Sequence, residues 1–571
     1  MCQLSKECMF LKRMKWQAHS ESFSRPVILN KNFNDSCVHS TASFIAFIYN
    51  LEDKNHSGGQ GPVTALKGSA GKEIIEMTKA SEKIMRAFPA LLLCCTLAAG
   101  CSAPAQDADK PAEPEETSEA EEQAEPEVHY TIDNIRDYVV GVDEPVELAD
   151  GSKQPLINFD NAATTPPLKP VEDAINEEMK MYGSIGRGFS EKSNHSTDLF
   201  REARETVMKF VGANVDINTA IYVNSTTDGL NKLASALIES EDDIVLTTRM
   251  EHHADDLPWR ERCQVVYAEV DEQGRIIYDD IERLLNEYDG KIKYVCVTAA
   301  SNVTGYITDV HRVAKMAHEH GAMIIVDGAQ IVAHREFSMQ GETPEEDIDF
   351  FVFSAHKMYS PYGGGAIVGP WDILDKHMPE FYGGGIVNIV TDSTVSYKHS
   401  PDSYEAGSPN YAAVVGMAKA MEVLKEVGFD AIEEHEKKLN AKLIEGLKKF
   451  DNVIIYGDSE NYDDRVGVVS FNFTDINSYI MAVKLAETGG VATRRGAFCA
   501  HTYVWRLMGI SDEEAQTFVN CIDMKTPGMI RCSFGIYNTE EEVDRFLEIL
   551  GGLIDETRQT TQLTSEADPA Y

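Results

Sequence analysis

From about residue 219 onward, short runs of apolar, β-branched and aromatic residues alternate with stretches of helical period. The runs are 220–224 (AIYVN), 243–248 (DIVLTT), 264–270 (QVVYAEV), 293–300 (KYVCVTAA), 323–327 (MIIVD), 350–354 (FFVFS) and 365–369 (GAIVG), each of strand length. Their largely unbroken apolar character marks strands covered on both faces, as in a mostly parallel sheet. Between two of them Val310, Val313, Ala314 and Ala317 recur at i, i+3, i+4 and i+7, and Gly321 stands where a helix C-cap is wanted. Seven strands alternating with helices predict a doubly wound α/β domain. In such sheets ligands bind at the carboxyl ends of the strands, so the residues just after each run become the candidates.

Beyond Gly407 the pattern changes to two long helical stretches, 411–428 and 429–450, followed by strand-like runs such as 466–473. Thr539 and Glu542 have the spacing of a capping box ahead of a last apolar helix. The expected organisation is an N-terminal arm and large domain over 130–406, a smaller C-terminal α/β domain over 407–558, and a disordered tail over 559–571. There are no internal repeats.

Upstream of Tyr130 the chain reads differently. Residues 103–127 are almost entirely Ala, Pro, Glu, Asp, Gln, Ser and Thr, too poor in apolar side chains to bury a core, so 102–129 is expected to be a disordered acidic linker. Ahead of it, Lys79, Lys83 and Arg86 precede an apolar run from Ala87 to Ala99 that is too short to span a bilayer and of the right length for a secretory signal. Leu97-Ala98-Ala99-Gly100-Cys101 resembles a bacterial lipobox, so 77–101 reads as a lipoprotein signal peptide with Cys101 as the lipidated residue. On that reading the protein is lipid-anchored to the outer face of a bacterial cytoplasmic membrane; otherwise it is cytoplasmic. A signal cannot work behind the polar arm 1–76, which has no sustained period, so translation is expected to begin at Met77 or Met85 and 1–76 to be a non-native, disordered extension.

Charge narrows the function. With 52 basic and 93 acidic residues the formal net charge is −41, which opposes binding to nucleic acid. Of eleven cysteines only Cys263, Cys296, Cys499, Cys521 and Cys532 fall in the expected folded body; the number is odd, so at least one thiol lacks an intrachain partner. No metal-binding spacing such as C-x-x-C occurs there.

Three strand ends carry candidate chemistry. Asp327 closes MIIVD, where a carboxylate in apolar surroundings needs a cation or a strong donor unless it serves as a helix cap. Ser354, His356 and Lys357 follow FFVFS, and a partly desolvated lysine amine is a nucleophile that forms imines. Ser225, Thr226 and Thr227 open a helix after AIYVN, where free backbone N–H groups and hydroxyls favour an anion, or simply cap the helix. An acid for a pyridinium nitrogen, an imine-forming lysine and a phosphate cradle are together what pyridoxal phosphate requires.

At this point the chain resembles the class V aminotransferases, closest to group II cysteine desulfurases and selenocysteine lyases, over roughly residues 155–550. The resemblance is carried by NFDNAATTPP (158–167), NSTTDGLN (224–231), MEHHADDLPW (250–259), SNVTGY (301–306), VDGAQ (326–330), FSAHK (353–357), YEAGSPN (404–410) and RCSFGIYNTEEEVDRF (531–546). It implies a fold-type I pyridoxal-phosphate transferase with a mostly parallel seven-stranded sheet and a smaller C-terminal α/β domain. Lys357 would carry the cofactor, His252 would stack on its ring, Asp327 would pair with the ring nitrogen, and Gln330 would bond the phenolic oxygen. Thr226, Thr227, Ser354 and His356 would hold the phosphate; Arg531 would clamp the substrate carboxylate, with Asn302 and Arg187 close to the substrate.

Cys499 would take sulfur from L-cysteine as a persulfide, leaving L-alanine, and pass it to a sulfur-acceptor protein. The resemblance also implies a homodimer, with residues 383–394 completing the partner's site. Two departures from the family pattern bear on the substrate. The family's threonine-glycine-histidine-histidine lead into the cysteine is here Arg495-Gly496-Ala497-Phe498, and the histidine expected after Arg187-Gly188 is missing. The alternatives are another lyase, epimerase or transaminase reaction on the same cofactor, or a surface-tethered binding lipoprotein without turnover.

Overall fold

Strands whose two faces are both apolar have to be covered on both sides, and the computed structural model shows how. It describes residues 128–377, 380–519 and 526–567. The first 76 residues, the apolar run ending at Cys101, the acidic linker up to residue 127, and Cys521 lie outside the described residues. The seven apolar runs form one sheet: β1 (Asn218–Val223), β2 (Ile244–Thr248), β3 (Gln264–Ala268), β4 (Ile292–Thr298), β5 (Met323–Asp327), β6 (Phe350–Ser354) and β7 (Gly365–Pro370), in the order β1-β7-β6-β5-β4-β2-β3. Six run parallel, and β7 is antiparallel to both neighbours, with Ala366 opposite Phe353 and Tyr222.

The strand period places the core. Val295, Val297, Ile324, Val326, Phe351 and Phe353 point to one buried cluster, while their alternates Cys296, Ile325, Phe350 and Val352 point to another. Each such side chain contributes about 1.5–3 kcal/mol by leaving water. Helix α3 (Thr226–Leu237) lies close against the sheet. Gly229 permits this, because a Cβ there would stand 2.5 Å from Val352 Cγ1. The close approach sets the start of α3 at the carboxyl edge of the strands.

The predicted helix after β4 is α4 (Val310–Glu319), capped by Asp309, whose side chain accepts from the N–H of Arg312, and followed by Gly321 at φ +75°. The smaller domain is built on a four-stranded antiparallel sheet of β8 (Val453–Tyr456), β9 (Val468–Phe473), β10 (Arg494–Gly496) and β11 (Met529–Ser533), ordered β8-β9-β11-β10. Its core joins Leu439, Leu443 and Leu447 of α6 (Phe429–Leu447) to Phe546 and Leu550 of α7 (Glu540–Ala567). The capping box is present in both directions: the Thr539 N–H donates to Glu542 Oε2 at 3.1 Å and the Glu542 N–H to Thr539 Oγ1 at 3.2 Å.

Three boundaries differ from those read in the sequence. Helix α5 (Tyr411–Val427), placed with the small domain by its position after Gly407, packs Val414, Met417 and Leu424 into the main core beside Val171 and Ile175 of α1 (Lys169–Glu178) and Val207 of α2 (Glu191–Phe210). Conversely, Ile157 and Phe159, assigned to the large-domain arm, belong to the small-domain core. Ile157–Asn158 pairs in parallel with Val491–Ala492, a contact between segments too distant in sequence for local patterning to reveal. Finally, α7 runs on to Ala567, through part of the expected tail. Among the described residues no helix is long and apolar enough to cross a membrane.

Candidate active site

The carboxyl ends of β1, β2, β4, β5 and β6 meet the turn after β10 and the inward face of β11 around a cavity of about 220 Å³. Thr226 and Thr227 enter from the start of α3, His252 from the loop after β2, Asn302 from the loop after β4, and Asp327 and Gln330 from the end of β5. Ser354, His356 and Lys357 enter from the end of β6, Cys499 from the turn, and Arg531 from β11. Arg187 does not line it. Its exposed guanidinium lies beside Gly385, where a Cβ would approach Nη2 to 2.6 Å. The reason is local: within one chain the Arg187 guanidinium packs against Gly384 and Gly385.

Lys357 is held by the segment 158–167. The Thr164 hydroxyl donates to the His356 carbonyl at 3.0 Å, the Thr165 N–H donates to the same carbonyl at 3.0 Å, and the Tyr359 N–H donates to Thr165 Oγ1 at 2.7 Å. Tyr359, buried at φ +66°, turns the chain sharply just after the lysine. Burial pulls the Lys357 amine down to about 8, against the attraction of Asp327 and helped by repulsion from Arg531. An amine at that value is about one-tenth neutral at pH 7, a far larger share than for an ordinary lysine, which favours an imine-forming nucleophile.

Asp327 is 3 % exposed; burial raises its pKa, while the Ala329 N–H at 2.8 Å and Lys357 oppose the rise. His252 accepts the Ala254 N–H on Nδ1 at 3.1 Å. Burial, then Lys357, drives its pKa down to about 3, so the ring is neutral. At the start of α3 the Ser354 hydroxyl meets the Thr226 N–H and hydroxyl, both at 2.7 Å. The site fits pyridoxal phosphate on its own unmet groups. A buried carboxylate faces the cavity without a cation of its own beyond Lys357, Gln330 keeps Oε1 buried without a partner, and hydroxyls and N–H groups converge at the helix start.

Sequence reasoning missed Asp160, Phe498 and the buried acids. Arg531, 2 % exposed, donates to the Asn302 carbonyl at 3.0 Å and to Asp160 Oδ1 at 3.1 Å, and Arg494 approaches the other oxygen at 3.5 Å. Phe498 stacks its ring 4.9 Å from the Arg531 guanidinium. Phe498 and Cys499 are consecutive left-handed residues, φ +52° and +56°, at about 1–2 kcal/mol each for residues with a Cβ. Hydrogen bonds offset that strain: Asn302 Nδ2 donates to the Phe498 carbonyl and the His253 N–H to the Cys499 carbonyl, both at 2.7 Å. The thiol is exposed, whereas Cys296 and Cys532 are buried; these and Cys263 are free.

Behind Asp327, buried Glu251 accepts the Thr248 hydroxyl at 2.6 Å and the Thr298 N–H at 2.7 Å. Burial first, with repulsion from Asp327, pushes its carboxyl up to about 8. Asp255, fully buried, accepts the Trp259 indole N–H at 3.0 Å on one oxygen and has no partner on the other, and its pKa lies well above the carboxylate range for the same reason.

Residues 157–546 match the family model for Aminotransferase class-V. The chain belongs to that family. Its relatives include a cysteine desulfurase of Haloferax volcanii, 35 % identical over 410 residues that cover 70 % of this chain and 90 % of the relative. A probable cysteine desulfurase of Staphylococcus epidermidis is 33 % identical over 69 % of this chain and 91 % of its own length. The fold of this class-V enzyme is similar to that of a cysteine desulfurase from Thermococcus onnurineus, with a TM-score of 0.64, 29 % identity and coverage of 74 % of this chain and 98 % of that one. The seven-stranded, mostly parallel sheet is the family architecture expected from the sequence.

Proposed function

We propose that this class-V enzyme is a pyridoxal-phosphate-dependent cysteine desulfurase that converts L-cysteine to L-alanine and keeps the sulfur as a persulfide on Cys499. The observation that carries the proposal is an exposed thiol, on a turn held in left-handed backbone, in the same cavity as Lys357 and Asp327. The relatives named as cysteine desulfurases support it.

Thr226, Thr227, Ser354 and His356 would hold the cofactor phosphate, Asp327 its ring nitrogen, Gln330 its phenolic oxygen and His252 its ring face. When bound, pyridoxal phosphate supplies an electron sink for charge developing at the substrate α-carbon. Arg531 binds the substrate carboxylate through its planar fork, and the Phe498 ring excludes water from one face of it. Lys357, with its lowered pKa, takes the α-proton as a neutral amine. The Cys499 thiolate attacks the substrate sulfur; the S–Cβ bond breaks with its electron pair left on carbon, which takes up a proton as alanine forms.

The partner arrangements belong to the same proposal. The segment around 383–394 exposes Ile389 (61 %) and Val390 (58 %), with Arg187 alongside. A second copy of the chain would cover these residues and receive Arg187 at its own cavity; a sulfur-acceptor protein would then collect the persulfide. Lipid attachment at Cys101 is tested by the mass of the N-terminal peptide of membrane-fraction protein.

The deciding experiment incubates the full chain, loaded with pyridoxal phosphate, with L-cysteine and measures alanine and sulfide, with Cys499→Ala and Lys357→Ala alongside. Alanine from the native chain but from neither variant supports the reading. Alanine formation that survives Cys499→Ala moves the chain to another lyase reaction on the same cofactor, which Ala497 and Phe498 before the cysteine would then explain.

A further inference from the structure

The turn that presents Cys499 is gripped from the large domain by His253, whose role in the proposed reaction is otherwise unassigned. The His253 backbone N–H donates to the Cys499 carbonyl at 2.7 Å. Its ring lies parallel to that of His501, centroids 5.0 Å apart and planes within 5°, and His253 Nε2 stands 3.1 Å from His501 Nδ1 and 3.4 Å from the His501 backbone N–H. Trp505 packs edge-on against the outer side of His501 at 5.2 Å.

Proton bookkeeping fixes the state in which this contact holds. The backbone N–H of His501 can only donate, so His253 Nε2 has to accept, and the His501 Nδ1 proton shares that lone pair. A proton on Nε2 would set one N–H against another. The two contacts to Nε2 therefore hold together only while His253 is neutral, whereas the backbone bond to the Cys499 carbonyl is indifferent to the ring's charge. The charged and titratable groups facing the pair are His252 at 6.2 Å between rings, Asp256, which favours the charged form, and Arg260, which opposes it; Arg495 and Glu487 line the same cavity as His501. Burial lowers both rings' pKa values, so both are neutral at neutral pH.

We propose that His253 and His501 are positioning residues for the Cys499 thiol, forming a latch across the two domains that holds the strained turn closed while His253 is neutral and releases it when His253 is protonated. With the ring contact to His501 lost, the strain of two successive left-handed residues is opposed only by the Asn302 side chain and the His253 backbone N–H. The latch then sets how often the thiol points at a bound substrate. The inference rests on the reading of Cys499 as the sulfur-accepting group, because only then does the latch govern a reaction.

The test follows amide hydrogen exchange of the peptide spanning residues 496–504 in the full-length holoenzyme, together with steady-state alanine formation from cysteine. His501→Ala should raise exchange in that peptide about tenfold or more and lower kcat by a similar factor, leaving KM within about twofold. His501→Gln, whose side-chain amide can donate to the same Nε2, should restore protection and most of the rate. In the native chain, protection corrected for intrinsic exchange and kcat should fall together as pH drops to the acid side of the ordinary histidine range. Unchanged protection in His501→Ala, or lost protection with kcat intact, overturns the latch. If the native chain makes no alanine from cysteine, the desulfurase reading fails, and the exchange measurement still decides whether the two histidines hold the turn.

Discussion

Replacing Glu251 by glutamine should make this protein more stable near neutral pH, and the size of the gain follows from where the carboxyl sits. Its folded pKa of about 8 lies above the ordinary 4.5, so between those values the folded chain keeps a proton that the unfolded chain releases. Stability is therefore fully present below the unfolded pKa and falls as pH rises, by about 1.36 kcal/mol per pH unit until the folded pKa is passed. Between about pH 5.5 and 7.5 the loss is roughly 3 kcal/mol, close to a hundredfold in the folded-to-unfolded ratio. Glutamine carries no such proton and copies the neutral acid: its carbonyl accepts the Thr298 N–H, and its amide donates to Thr248 Oγ1 in place of the carboxyl. Urea unfolding followed through the tryptophans, including Trp259, fully buried beside Asp255, should show the variant ahead by about 1.4 kcal/mol near the lower pH. Its lead should widen to about 4 kcal/mol near the upper one. Parallel stability curves across that range would refute the reasoning, because they would mean that Glu251 ionises in the fold at no cost.

Other outcomes follow from the same geometry. Asp255→Asn should show the same sign of pH dependence, with the variant gaining on the native chain as pH rises, measured by the same unfolding series. Gly229→Ala places a Cβ 2.5 Å from Val352 Cγ1, and should cost about 1–3 kcal/mol as an overpacked contact and weaken pyridoxal-phosphate binding by displacing the start of α3; titration of cofactor absorbance reads the second effect. Cofactor loading of the apoprotein should quicken as pH rises through about 8, where Lys357 loses its proton, and Lys357→Ala should abolish covalent loading as judged by borohydride trapping and peptide mass.

Much of the large domain was legible because its information is local. A strand buried on both faces announces itself by an unbroken apolar run, and a parallel sheet puts the chemistry at the ends of those runs; Asp327, Ser354 and Lys357 were found that way. What stayed hidden depends on distance. Nothing around Ile157 indicates that it pairs with Val491, and α5 carries no mark saying which of two cores it fills. Glu251 and Asp255 read as ordinary acids in a polar string, since spacing does not reveal that both are sealed behind the sheet. Arg187 was carried in by resemblance, and one chain alone leaves it outside the cavity. The backbone of Phe498 and Cys499 was illegible because left-handed residues with side chains are imposed by neighbours, here Asn302 and His253, and not by their own preferences.

The pairing of Ile157–Asn158 with Val491–Ala492 also dictates a calendar for the ribosome. The sheet strands of the large domain are complete once residue 370 has been made, but Ile157, Phe159 and Asp160 have no place to go until the chain has grown past Val491 and then Arg531. Through that interval an early segment with an apolar face waits unpaired on a nearly finished domain, a contact of long sequence separation and hence slow to form. The Asp160–Arg531 pair, proposed above as the clamp for a substrate carboxylate, is thus among the last parts of the molecule to assemble. A ribosome-released chain that stops short of β11 would carry a formed sheet and Lys357 yet lack that pair.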